Sequence, residues 1–383
     1  MGAIVLFLAN MKTFTRHGCY FIHFILVVFC TSSLYGQTYA KGFRWGSTPE
    51  GYKTLAVRSS IQPEKWTSYV LIPRAQHQKI IRAKSTYKQV ISLPVASLVL
   101  TSTTQIPALE ALGELNKVRG FTGLPYISSQ SARKAIEKGS IKEVGASGSL
   151  DIETVLELAP ELILGYTMDQ TPGFVAVLSK AQIPTILFQD WQEQNPLGRT
   201  EWIKVMGVLL DKETEANTYF NQVVDNYERV KKIAQRAKTR PTVVSGAVYQ
   251  DVWYVPGGKS WMATLFSDAQ ADYLFNDSDQ TGSLALSVET VIEKANQAAF
   301  WIAPAQHTSW REMKSDQPAY TAIKAFTQKK VVTYALNKGP TGGVLYFEQA
   351  ALRPDWVLSD LVYFLHPGIM TGYTPHFFNY TTP

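Results

Sequence analysis

The sequence predicts an α/β protein of two lobes, each a parallel sheet flanked by helices, joined by one long rigid helix and preceded by a β ribbon. Three observations carry this. The first is a repeat: Gly148-Ser149-Leu150-Asp151-Ile152-Glu153-Thr154-Val155-Leu156-Glu157-Leu158-Ala159 returns about 136 residues later as Gly282-Ser283-Leu284 and then Ser287-Val288-Glu289-Thr290-Val291-Ile292-Glu293-Lys294-Ala295. Each copy runs into an apolar strand, Glu161 to Tyr166 in the first and Ala298 to Ala303 in the second, so a short helix precedes a core strand twice. The second is alternation of strand-like and helix-like stretches on both sides of the chain's middle, the pattern of parallel sheets wrapped by helices. The third is an uninterrupted helical period from about Lys212 to Lys238, with Ala216, Phe220, Val223, Tyr227, Val230, Ala234 and Ala237 on one face. At 1.5 Å per residue such a helix spans roughly 40 Å, enough to run from one lobe to the other.

In chain order, residues 1–36 read as a signal peptide. Lys12, Arg16 and His17 precede an apolar run of about a dozen residues, shorter than the roughly 20 that a spanning helix needs. Cleavage is expected after Gly36. Both cysteines, Cys19 and Cys30, fall inside this segment, so the mature chain is expected to use neither disulfides nor thiolate chemistry. Lipid attachment at Cys30 is not expected, because Phe29 stands where a small residue belongs. Losing Lys12 and Arg16 lowers the net charge from +6 to +4, a mild positive balance that suits an anionic small ligand or an acidic surface. No Lys/Arg run is dense enough to argue for nucleic acid.

Residues 37–88 form the N-terminal β extension, with strands around Gly42–Trp45, Tyr52–Val57 and Tyr69–Pro73 separated by turn residues. The N-terminal lobe, 89–211, opens on Ser97-Leu98-Val99-Leu100-Thr101, with Ser102-Thr103-Thr104 as N-cap candidates for a helix stopped by Gly113. Further strands are expected at Lys117–Phe121, Leu162–Gly165 and Thr185–Phe188. The connecting helix, 212–238, leads to the C-terminal lobe, 239–383, with strands at Thr242–Gly246, Val252–Val255, Phe300–Ala303 and Val331–Tyr334 and a closing helix from Trp356 to Phe364.

Between Ser97 and Pro367 the order of motifs resembles the periplasmic substrate-binding proteins of ABC importers for ferric siderophores and cobalamin. The resemblance rests on the Ser97–Thr104 opening, on Val144-Gly145 followed by Asp151-Ile152-Glu153, on Leu158-Ala159-Pro160-Glu161, on Gly207 to Ala216, on Gly257-Gly258-Lys259-Ser260, and on Arg353-Pro354-Asp355 with Asp360-Leu361 and His366-Pro367. The β extension and Asn296-Gln297-Ala298 depart from the pattern. The resemblance implies an exported monomer that captures a metal chelate, most simply a ferric siderophore, with cobalamin or haem as alternatives. It would deliver this to an inner-membrane ABC permease, with no enzymatic step and no cofactor of its own; a cell-surface interaction protein or a hydrolase is the alternative from a different class.

Glu153 and Glu289 each sit in the first turn of a helix, where the dipole favours a carboxylate by about 0.3–1 kcal/mol. The resemblance implies more: a glutamate at this place on each lobe meets an arginine of the permease. Seven aromatics, Tyr126, Tyr166, Trp191, Trp253, Trp261, Trp310 and Tyr346, fall in inferred loops or at strand ends, where α/β proteins bind ligands. Of the cations Arg133, Lys259, Arg311 and Lys338, Lys259 and Arg311 are the better anion contacts. The remaining histidines, His77, His307, His366 and His376, have no ligand spacing that would hold a bare metal ion, though His307, near Trp310, suits an axial contact to haem or cobalt. The expected ligand set is therefore Tyr126, Tyr166, Trp253, Lys259, Trp261, His307, Trp310, Arg311 and Tyr346. Gly257-Gly258-Lys259-Ser260 lacks the upstream glycine of a phosphate loop, and no Gly-x-Ser-x-Gly elbow marks a hydrolase.

Overall fold

The computed structural model describes residues 37–76, 89–146, 149–167 and 171–383. The leader, its two cysteines, His77 and Gly148 lie outside these. Residues 37–383 form one compact unit, and no helix among the described residues is long and apolar enough to cross a membrane.

The first sheet contains β1 (Phe43–Ser47), β2 (Lys53–Arg58), β3 (Trp66–Pro73) and β4 (Val90–Leu93), in that order. The first three strands are antiparallel neighbours, but β4 pairs with β3 in parallel, Val70 opposite Val90 and Leu71 opposite Ile91. The ribbon expected from the sequence is thus a four-stranded sheet that extends to Leu93. Leu55 and Val57 on β2 and Tyr69 and Leu71 on β3 alternate onto one face, as a period of two requires. That face packs on the first lobe's core together with Phe43, whose ring meets Trp202 edge-on at 5.1 Å.

The first lobe is a parallel sheet of β5 (Leu98–Leu100), β6 (Val118–Phe121), β7 (Lys142–Glu143), β8 (Leu162–Tyr166) and β9 (Thr185–Phe188), ordered β7-β6-β5-β8-β9. The second lobe begins with β10 (Thr242–Ser245). It continues with β11 (Ala247–Tyr249), β12 (Val252–Pro256), β13 (Asp272–Tyr273), β14 (Ser283–Ser287), β15 (Phe300–Ile302), β16 (Val331–Thr333) and β17 (Asn379–Tyr380). Its main sheet is ordered β13-β10-β15-β16-β17, parallel except for β17. A separate antiparallel ribbon, β11-β12-β14, stands beside it.

The sequence repeat is a structural repeat. The helices Ile152–Leu158 and Val288–Ala295 start at matching residues, capped by Asp151 and Ser287. In both copies the threonine hydroxyl meets the cap side chain, Thr154 to Asp151 at 2.7 Å and Thr290 to Ser287 at 2.9 Å. The next residue, Val155 or Val291, is fully buried. The strand that follows, β8 or β15, lies in parallel between the first strand of its lobe and the next one along, β5 and β9 in one case and β10 and β16 in the other.

Between the lobes runs the helix Glu213–Ala234, with Ala216 and Phe220 in the first core and Val223, Tyr227, Val230 and Ala234 in the second. It is shorter than the 212–238 expected because Arg236 and Ala237 bond back three residues, to Ile233 and Ala234, tightening the end of the helix before Pro241. At its start Gly207 of the preceding helix is indispensable, since a Cβ there would lie 2.5 Å from the Cβ of Ala216. The lobes also touch directly. The Ser128 amide donates to Glu348 at 2.6 Å, and the Thr341 hydroxyl to the Ile127 carbonyl at 3.3 Å.

Candidate functional site

A cavity of about 1240 Å³ opens between the lobes, walled on one side by the N-terminal sheet and first lobe and on the other by the second. It exceeds the roughly 300–1000 Å³ of ordinary small-molecule pockets. Arg199 lines it, on the helix Pro196–Glu201 whose first turn is capped by Asn195. The guanidinium donates to the Trp191 carbonyl at 2.7 Å and lies over the indole of Trp261, 4.1 Å from the ring centroid, so a cation of the first lobe rests on an aromatic of the second. Burial lowers the Arg199 pKa from its ordinary value, and the negative field of Asp190 opposes that shift. The same burial raises the Asp190 carboxyl against the pull of Arg199. No carboxylate among the described residues lies within ion-pairing distance of Arg199.

Around this cation the wall is aromatic. Trp261 opens the helix Trp261–Asp268, fixed by the Ser260 cap, and is 6.4 Å from Tyr346. Tyr346 stacks flat on Tyr334 at 4.4 Å and an interplanar angle of 9°, with Phe347 edge-on to both. On the first-lobe side Trp191 is tilted against Tyr166 at 6.1 Å. Three buried polar atoms of lining residues, the Trp191 indole N–H, the Gln189 amide oxygen and the Tyr346 hydroxyl, have no partner within the described protein. Such atoms are costly unless something entering the cavity bonds to them. Desolvation drives the Tyr346 phenol well above its ordinary value, so it offers a neutral O–H.

The expected ligand residues divide. Trp261, His307 and Tyr346 line the cavity. Tyr166 backs Trp191 without lining the cavity itself. Trp253 is in the core instead, fully buried, stacked on Trp301 at 5.1 Å and donating to the Ser245 carbonyl. On β12 the faces alternate, and it is the next residue, Tyr254, that looks into the cavity. Lys259 is 60% exposed and paired with Asp279 at 2.6 Å, away from the lining. The glycines before it serve close packing, because a Cβ on Gly257 or Gly258 would meet the carbonyls of Gln280 or Ser278 at 2.3 and 2.4 Å. Trp310 lies under Lys329, whose ammonium is 4.6 Å from the ring centroid, and Arg311 is exposed; their helix instead presents Glu312 and Asp316 to the cavity. Tyr126, in a turn after Gly123, is 63% exposed and off the lining.

His307 has both ring nitrogens engaged, Nδ1 with the Pro304 carbonyl at 2.9 Å and Nε2 with Asp316 at 3.0 Å. Axial ligation of haem or cobalt would have to break one of these. Among the described residues no group of three or more His, Cys, Asp and Glu is placed to hold a metal ion.

Sequence reasoning missed Arg199, Lys41, Arg58, Tyr249, Tyr254, Tyr334 and Phe347 as lining residues. Alternation along β12 puts Trp253 and Tyr254 on opposite faces without saying which face meets the cavity. Glu153 and Glu289 occupy matching first-turn positions on the repeated helices, both exposed.

Residues 98–336 match the model of a family described as periplasmic binding protein. An uncharacterised lipoprotein of Methanocaldococcus jannaschii is 29% identical over 300 residues, spanning 76% of this chain and 70% of the relative. That relative's name runs against the expectation that Cys30 carries no lipid, which rested on Phe29 alone. Among solved structures, a periplasmic haem-binding protein of Pseudomonas aeruginosa superposes with a TM-score of 0.59 at 17% identity, covering 76% of this chain and 99% of that one. A siderophore-binding protein bound to a complex between two molecules of acinetobactin and ferric iron superposes with a TM-score of 0.53 at 15% identity, covering 71% of this chain and 93% of that one.

Proposed function

Since this chain belongs to the periplasmic binding protein family, we propose that it is the exported substrate-binding component of an ABC importer and that it captures a ferric siderophore between its lobes. The observation that carries the reading is the interlobe cavity of about 1240 Å³, in which an Arg199 guanidinium sits against flat aromatic faces. Flat walls suit the broad faces of an aromatic chelate, and a buried cation suits its negative charge. The names of the solved relatives, one haem-binding and one holding a ferric siderophore, support the same ligand class. The protein binds and releases, and makes or breaks no covalent bond.

Delivery requires a permease, and Glu153 and Glu289 are the proposed contacts, one on each lobe. Paired exposed charges orient an encounter more than they add affinity. Reversing both, Glu153→Lys with Glu289→Lys, is expected to leave chelate affinity unchanged and abolish uptake by cells; loss of binding would place the repeated helices at the ligand instead. Export leaves a mature chain that begins at Gln37 or at a lipidated Cys30, and the intact mass of the mature protein separates the two. The visible spectrum of protein recovered from cells tests the ligand, because ferric catecholate, cobalamin and haem absorb differently. A haem or cobalamin spectrum would replace the siderophore.

A further inference from the structure

The three Lys and Arg side chains of the cavity wall, Lys41, Arg58 and Arg199, come from the N-terminal extension and first lobe, whereas the second lobe contributes His307, Glu312, Asp316 and aromatics. Two of the three, Lys41 and Arg58, precede the residues 98–336 that match the family. They are held firmly. Glu201, fully buried, accepts the amides of Thr38, Tyr39 and Ala40 at 2.7–2.8 Å, and Glu193 accepts those of Lys41 and Gly42 at 2.8–2.9 Å and the Trp202 indole at 3.1 Å. Five consecutive amides are thus strapped to two buried carboxylates. Arg58 donates to the Pro63 carbonyl at 2.7 Å, and the loop beyond it is tied to the first lobe by Gln192 donating to the Ser60 carbonyl at 3.2 Å.

Glu193 also lines the cavity, but its oxygens are occupied by those amides and the indole. Glu312 accepts from Thr308, and Asp316 is engaged with His307. None of the three cations has a carboxylate within ion-pairing distance among the described residues. The cations on this wall are therefore free of direct ion pairs, with the fields of Asp190 and Glu193 acting on Arg199 from a greater distance.

We propose that the N-terminal sheet is part of the binding site, and that Lys41 and Arg58 act with Arg199 as specificity-determining cations that select an anionic chelate over a neutral one. This rests on the capture reading above. Iron(III) held by three catecholates is trianionic, whereas iron(III) held by three hydroxamates is neutral, so charge alone separates two chelates of similar bulk. The contacts add to affinity in proportion to ligand charge and weaken as salt rises.

The test is titration of the mature protein with ferric enterobactin as trianionic probe and ferrichrome as neutral probe, followed by tryptophan fluorescence at low and high salt. The wild type is expected to bind the trianion at least tenfold more tightly, with affinity falling as salt rises. Lys41→Gln with Arg58→Gln is expected to lose about tenfold or more for the trianion, with Arg58→Lys retaining most of it. Lys41→Gln alone changes an exposed side chain and guards against misfolding of the double variant. Tighter binding of the neutral probe, salt-independent binding of the trianion, or variants within twofold of wild type would overturn the proposal while leaving capture intact. Binding of neither probe by the wild type would count against the capture reading itself.

Discussion

At the scale of single residues, the side chains that matter are those that line the cavity without an ion-pair partner or that carry a raised carboxyl pKa. Arg199 is the foremost. Replacing it by glutamine removes the charge over Trp261 while keeping a donor for the Trp191 carbonyl. The expected result is a loss of about 10- to 100-fold in affinity for an anionic chelate, corresponding to the roughly 1.5–3 kcal/mol of a charged hydrogen bond. Isothermal titration reads this directly, and an unchanged constant would remove Arg199 from the site. Glu348 gives a second test. Burial, with Glu110 nearby, pushes its carboxyl from 4.5 up to about 7, against the amide of Ser128. A raised carboxyl pKa means that the folded protein binds the proton more tightly, so this contribution to stability is fully present below about 4.5 and is lost as pH rises to about 7. Glu348→Gln keeps the acceptor for Ser128 and cannot ionise; its thermal midpoint is expected to lose that part of the pH slope. Sequence alone reached Trp261 and Tyr346, which stand at turns into helices, but chose Trp253 over Tyr254. A shift of one residue on a strand exchanges core for cavity, and composition does not tell the two faces of β12 apart when both carry aromatics.

At the scale of elements, the repeated helix–strand unit was readable because its cap, its threonine and its buried valine recur in the same order. The strap at residues 38–42 was not, because its partners Glu193 and Glu201 lie more than 150 residues away for every amide they hold. Nothing local marks a carboxylate that will accept backbone amides from so far along the chain. Glu201→Gln keeps one acceptor and loses the charge, so the strap is expected to loosen and the protein to lose about 1–3 kcal/mol. Denaturant unfolding measures the loss, and limited proteolysis near Lys41 checks that the strap is where it arises. Unaltered stability and protection would mean that the sheet is held by its apolar face alone.

At the scale of the whole molecule, the helix Glu213–Ala234 is shared by both cores, with Phe220 in one and Tyr227 in the other. Bending it would open both, so the lobes are expected to move little when the cavity fills, unlike lobes joined by flexible hinges. Small-angle scattering with and without chelate should give nearly the same radius of gyration, and a large decrease on binding would contradict this. The two-lobe architecture was legible from the repeat and the helical period, whereas the cavity's charge came from segments that only the folded chain brings together. Capture of a metal chelate between the lobes is the central claim, and Trp191 and Trp261 on the cavity wall report it. The most direct test is a tryptophan-fluorescence titration of the mature protein with a ferric tris-catecholate, cobalamin and haem in separate experiments. The account predicts saturable quenching with one equivalent of the ferric chelate; quenching by none of the three would contradict it.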